Sequence, residues 1–241
     1  MASNLAGGLC IGELNAAVIR AARLDADCSP TGGANSGLVT AGLVTLTADP
    51  DIEEGTVFEP KNGDGDIMFT YEEDDKIKRY NHSGEFGFAD FEMMELLFGG
   101  STILGKPGGD FAGKVIGYAD RPYTAAPRNG VYFEVITRGV AEGAGSCITS
   151  GTGAPVAIGH IFGKAKFSPG SQNFGNEVRR ITFSGKSTAN PNLFDGPWND
   201  YPGAGYIPNS PHVTVGYTQV EFDAILAQIN CGYAANLPAG S

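Results

Sequence analysis

The amino-acid sequence predicts a mainly β protein of the sandwich or barrel kind, and three observations predict it. Glycine is abundant, 36 residues beside 14 prolines, and follows no collagen-like period, so the chain is cut into many short segments joined by turns. Apolar residues make up 41%, which is enough to bury a real core. Short runs of β-branched and aromatic residues recur along the chain, interrupted by two clear stretches of helical spacing. A length of 241 residues fits one large all-β domain with extensions. The expected division is an N-terminal arm over 1–37, a β domain over 38–217, and a C-terminal helix and tail over 218–241.

The elements follow in order. Leu14 to Leu24 is rich in Ala, Ile and Arg and suits a short helix or strand. Ser29-Pro30 and Gly32-Gly33 then break it, and such arms are often ordered only by a partner. Leu38 to Thr47 reads as a strand, followed by an acidic stretch from Asp49 to Glu54. Val57-Phe58 and Ile67 to Tyr71 flank Asn62-Gly63, the strongest hairpin signal in the chain, because both turn positions tolerate positive φ. Ala89 to Phe98 predicts a helix: Asp90 caps it, Phe91, Met94, Leu97 and Phe98 share a face, and Gly99 ends it. Strands are expected over Val115–Tyr118, Val131–Thr137, Pro155–Phe167, Val178–Ser184 and Val213–Tyr217, with a Pro/Gly/aromatic loop over Asn190–Gly205. Thr218 and Glu221 have capping-box form. Phe222, Ile225, Leu226 and Ile229 then form an apolar stripe that Gly232 can end. A helix this short needs a docking surface, on the body or on a neighbouring copy.

Charge narrows the function. The formal net charge is −11, from 16 basic and 27 acidic residues, and no basic stripe is present to bind a phosphate backbone. No Cys-x-x-Cys pair links Cys10, Cys28, Cys147 and Cys231, so they read as thiols and not as a zinc site, with a Cys10–Cys28 bridge the one open pairing. No signal-peptide pattern and no long apolar run are expected at the N-terminus or elsewhere.

Several patterns invite a chemical reading and fall short of it. Gly100 to Lys106 matches most of a phosphate-binding loop, but Pro107 stands where Ser or Thr would hold magnesium, and a helix precedes it instead of a strand. Asn62, Asp64, Asp66 and Glu73 are spaced like calcium ligands, yet Ile67 occupies the position that needs glycine. His82, His160 and His212 lie at no metal-ligand spacing, and His160 suits a satisfied core or interface group. The run Glu72 to Asp75 reads as a solvated face, and nothing singles out a glycosidase pair. The expectation is therefore no catalytic, cofactor-binding or metal-binding residue, and no cofactor.

The segment from Phe162 to Pro202 carries Ser168-Pro169-Gly170 after a strand, Asn176 in the next turn, Gly185, an Ala189-Asn190-Pro191 loop, and Gly196-Pro197-Trp198-Asn199-Asp200. Arg20 to Asp25, Glu53-Glu54-Gly55, Asn62-Gly63-Asp64-Gly65 and Asp90 to Gly100 precede it in order. This succession resembles the major tail protein, or tail tube subunit, of long-tailed actinobacteriophage-type viruses, over residues 10–205. The resemblance implies a β-sandwich with a flanking helix, copies closing into hexameric rings, and rings stacked into a tube around passing DNA. It implies a long hairpin and arms that bridge rings, an inner barrel shared between subunits, and tape measure, tail terminator and distal tail proteins as partners. It also implies a place in the virion tail after assembly in the host cytoplasm. An acidic chain can surround DNA without holding it. The competing expectations are a carbohydrate- or receptor-binding module, with Tyr118, Tyr123, Trp198, Tyr201 and Tyr206 as an aromatic platform, and a hydrolase with an unrecognised carboxylate pair.

Overall fold

The computed structural model describes residues 12–88, 90–140, 156–172, 175–176, 180–193 and 209–234. The elements are β1 (Gly12–Arg23), β2 (Gly37–Thr40), β3 (Leu43–Glu53), β4 (Val57–Phe58), β5 (Tyr71–Glu72) and β6 (Lys76–Phe86). Helix α1 (Phe91–Phe98) follows, then β7 (Ser101–Leu104), β8 (Val115–Ala119), β9 (Val131–Val140), β10 (Ala157–Pro169), β11 (Ile181–Thr188), β12 (Val213–Tyr217) and α2 (Gln219–Leu226). The mainly β expectation is met by one large antiparallel sheet in the order β2-β1-β9-β10-β11-β6-β3, with β12 added beside the first half of β10. Among the described residues β2 and β3 are not paired, so the sheet is not a closed barrel. The hairpins β4–β5 and β7–β8 form two small separate sheets.

Alternation along the strands sorts side chains to two faces. Ile19, Ala21, Phe133, Val135, Phe162, Phe167 and Phe183 pack with Met93, Leu96, Leu97 and Phe98 of α1 into the main core. Val18, Ile136 and Tyr217 lie in a second cluster with Phe222 and Ile225 of α2. Both helices begin where the sequence places their caps. Asp90 accepts from the amides of Glu92 and Met93, and Thr218 forms a full capping box with Glu221. Gly99 ends α1 at φ 75°, and α2 ends at Ala227, before the Gly232 stop expected for it.

Several expectations need correction. The arm over 1–37 is, from Gly12 on, part of the sheet, with β1 between β2 and β9. Its turn is clamped from within the chain: Asn129, Asn190 and Asn192 donate side-chain amide bonds to the carbonyls of Asp25, Cys28 and Asp27, at 2.7, 2.8 and 2.8 Å. The strand expected over Leu38 to Thr47 breaks at Ala41-Gly42, and the acidic stretch from Asp49 to Glu53 lies inside β3. Proline is tolerated there because β3 is an edge strand. The strand expected over Val178–Ser184 spans Ile181–Thr188, and the one expected over Pro155–Phe167 spans Ala157–Pro169. Gly100 to Lys106 is mostly strand β7 and no phosphate loop.

Among the described residues one charged network is buried. Glu134 is fully buried on β9 and accepts from Arg20 Nε at 2.8 Å, Tyr132 Oη at 3.0 Å and Tyr217 Oη at 2.5 Å. Three strands are thereby tied at one carboxylate, whose lone pairs are used by donors.

Candidate functional site

The two margins of the large sheet differ. At the β2 margin the backbone amides of Asn230 and Ala234 donate to the carbonyls of Val39 and Gly37 at 3.1 and 2.9 Å. The same C-terminal segment is fastened to α1, since Gly232 N donates to Asp90 and Tyr233 N to Glu92, at 2.6 and 2.5 Å. Tyr233 also meets Arg23 through its hydroxyl, and burial raises its phenol above the usual range. At the opposite margin β3 pairs with β6 on one side, and no strand among the described residues is hydrogen-bonded to its other side, although β1 approaches its first half.

Strands β3, β6, β11 and β10 form an amphipathic half-sheet. Its register sets Lys166, Lys186, Asn81 and Asp49 in one row across the four strands. Ser168, Ser184, Ser83 and Thr47 form the next row. The opposite face carries Phe167, Phe183, Phe86 and Leu46 against the core. One face is thus polar along all four strands and suits contact with water. Arg79 pairs with Asp51 at 2.5 Å on it, and Arg180 with Glu85 at 3.0 Å beside it.

Beyond Glu53 and Lys76 the chain continues as a hairpin that leaves the core. Gly55 is required where the two branches close up, because a Cβ there would collide with the Glu73 carbonyl. Val57 pairs with Glu72 and Phe58 with Tyr71, and Lys61 bridges to Ile67. The tip is held by Asn62, whose side-chain oxygen accepts from the amides of Asp64 and Asp66 at 3.0 and 2.8 Å. Every residue from Lys61 to Lys78 is exposed. Phe58, Phe69 and Tyr71 are 57%, 56% and 57% exposed, and the rings of Phe58 and Phe69 stand 6.3 Å apart. A two-stranded ribbon alone is marginal in water, and an exposed apolar surface of this kind is a candidate contact surface. The β7–β8 hairpin likewise exposes Ile103, Leu104, Phe111 and Ile116.

The residues singled out for chemistry are placed apart. Asp64 and Asp66 sit at the tip, while Glu73 lies lower on the hairpin, its amide bonded to the Thr56 carbonyl. Among the described residues no group of three or more acidic, His or Cys side chains is arranged to hold a metal. Glu72 to Asp75 are exposed. Of the aromatic platform, Tyr118 is half-buried beside the α1 core and Tyr123 is fully exposed, while Trp198, Tyr201 and Tyr206 lie outside the described residues, as do Cys10, Cys147 and the Gly196–Asp200 motif. Cys28 is a free thiol that accepts from Lys164 Nζ at 3.1 Å.

The histidines, in contrast, converge. His160 and His212 stack, with rings 5.4 Å apart and 7° from parallel, and Nδ1 of His160 stands 3.2 Å from Nε2 of His212. Phe162 and Tyr80 add rings at 4.9 and 5.4 Å from His212. His82 is buried, bonded to Ser187 Oγ at 2.7 Å, and its Nδ1 has no partner among the described residues. Burial, with the His212 charge adding to it, pulls His82 down to about 4. Sequence spacing hides this cluster; the pairing of His160 with Thr214, two residues after His212, creates it.

No protein-family model matches the chain, and no curated protein matches it as a relative. Among the described residues no helix is long and apolar enough to cross a membrane.

Proposed function

We propose that this chain is a structural subunit of a bacteriophage tail tube, which assembles with copies of itself into stacked hexameric rings and leaves a channel for DNA between capsid and host cell. The observation that carries the reading is the exposed hairpin from Val57 to Glu72, whose aromatic residues have no place in the chain's own core. The open β3 margin supports it, because a sheet completed by a neighbour loses its edge. The polar face of β3-β6-β11-β10 supports it too: a channel wall needs a water-facing surface and an apolar back. That face mixes Arg79, Lys166 and Lys186 with Asp49, Asp51 and Glu85, which is no continuous basic stripe for a phosphate backbone to settle on. The role is structural and not enzymatic, the site is the virion tail after assembly in the host cytoplasm, and the further partners are the tape measure, terminator and distal tail proteins.

A contact between different surfaces of identical copies propagates, so rings and tubes follow from one such pair of surfaces. Negative-stain electron microscopy of the purified protein tests the reading. Hollow tubes or six-membered rings of uniform width are expected. A chain that stays monomeric at all concentrations, with and without phage tail extracts, would refute it.

A further inference from the structure

The hairpin's aromatic face calls for a receptor, and one groove on the same chain has matching chemistry. It runs along the start of β3, between that strand and the beginning of β1, with a volume of about 490 Å³. Ala16, Val44, Leu46 and Ala48 form its walls. Its floor is the ring cluster of Tyr80, Phe162 and the His160–His212 stack. Asn15 stands at its rim at φ 31°, on a β1 bulge that turns the strand there. Val44 is 45% exposed, so the apolar wall is open to solvent.

A chain's own hairpin does not reach this groove. The groove flanks Val44 to Ala48 at the start of β3, and the hairpin grows from the far end of the same strand. Phe58 lies on β4, beyond the end of β3 at Glu53 and the non-strand residues 54–56, and neither it nor Phe69 nor Tyr71 lines the groove. An apolar ribbon and an apolar groove that do not meet within one chain are satisfied by a contact between copies.

We infer that the aromatic face of the 57–72 hairpin of one copy seats Phe58, Phe69 and Tyr71 in the β1–β3 groove of a second copy. Rings on rings supply the fit, in the offset and edge-to-face contacts that the groove floor already shows within the chain. The carboxylates of the hairpin's other face, such as Glu59 and Glu72, remain in water. The inference rests on the self-assembly reading above and adds the receptor to it.

The test uses the full chain as wild type, as Phe58→Ser/Phe69→Ser with a disabled hairpin, and as Val44→Glu with a disabled groove, each checked for fold by circular dichroism. Both changes fall on exposed positions. Sedimentation velocity is expected to show an assembly threshold raised about tenfold or more in each variant alone, as for loss of a central aromatic anchor. An equimolar mixture of the two variants keeps one working contact and is expected to stop at 1:1 complexes. A Val44→Glu chain that assembles like wild type, or a mixture that forms no complex, overturns the inference while the self-assembly reading stands. A wild type that never assembles overturns both. Photo-crosslinking from a benzoylphenylalanine at position 69 leaves the groove unaltered. Intermolecular products at residues 43–48 or 160–162 are expected, and products confined to other segments overturn the inference.

Discussion

At the β2 margin the C-terminal segment lays Asn230 and Ala234 on the strand and pins itself to Asp90 and Glu92, whereas the eleven-residue β3 margin has no such cover among the described residues and runs out into a ribbon of exposed aromatic residues. Both margins belong to one sheet and pose the same physical problem, a row of unpaired backbone groups. One is solved within the chain. On the proposed function the other is solved by a second chain, and that division would separate what holds the monomer together from what it assembles through.

The contrast can be broken most forcefully in the body. Glu134→Ala leaves Arg20 buried without its carboxylate and removes the acceptor of the Tyr132 and Tyr217 hydroxyls, so chemical denaturation should show a loss of about 3–5 kcal/mol. Acid comes next. His82 is neutral in the fold down to about pH 4, while the unfolded chain takes up a proton near pH 6.5. The fold is therefore undiminished above pH 6.5 and loses up to about 3 kcal/mol as pH falls towards 4. Melting curves between pH 7 and 4 check this, and His82→Gln, which can keep the bond to Ser187, should flatten the dependence. Asp90→Ala removes an N-cap and the anchor of the Gly232 amide, with an expected cost of about 1–2 kcal/mol and faster exchange of the Ala234 amide at the β2 margin. The smallest effect on the monomer, within about 0.5 kcal/mol, is expected from Phe58→Ser/Phe69→Ser, because those side chains touch little in their own chain. The same pair should give the largest effect on assembly, and a variant that instead destabilised the monomer strongly would erase the distinction between the margins.

Local signals in the sequence were legible wherever the physics is local. Asp90 and Gly99 bound α1, the Thr218–Glu221 box opens α2, and Asn62-Gly63 sits at the turn of the hairpin, because caps and turns depend on a few neighbouring backbone groups. What depends on distant partners was not. The Ala- and Arg-containing run of β1 suits a helix as well as a strand, and Arg20 is accommodated by partners distant in sequence, Glu134, 114 residues away, and Tyr217. Asp49-Pro50-Asp51 reads as a break, yet an edge strand accepts it. The groove was hidden for the same reason: Tyr80, Phe162 and His212 come together through the β6–β11–β10–β12 pairings and share no spacing along the chain.

Amide hydrogen exchange on the free and the assembled chain tests the central claim most directly. The account predicts that amides of 57–72 and the outward-facing amides of β3 exchange rapidly in the monomer and are slowed in the assembly, while the β2 margin is protected in both. Equal exchange of the hairpin and β3 in the two states, in particles that are demonstrably assembled, would contradict it.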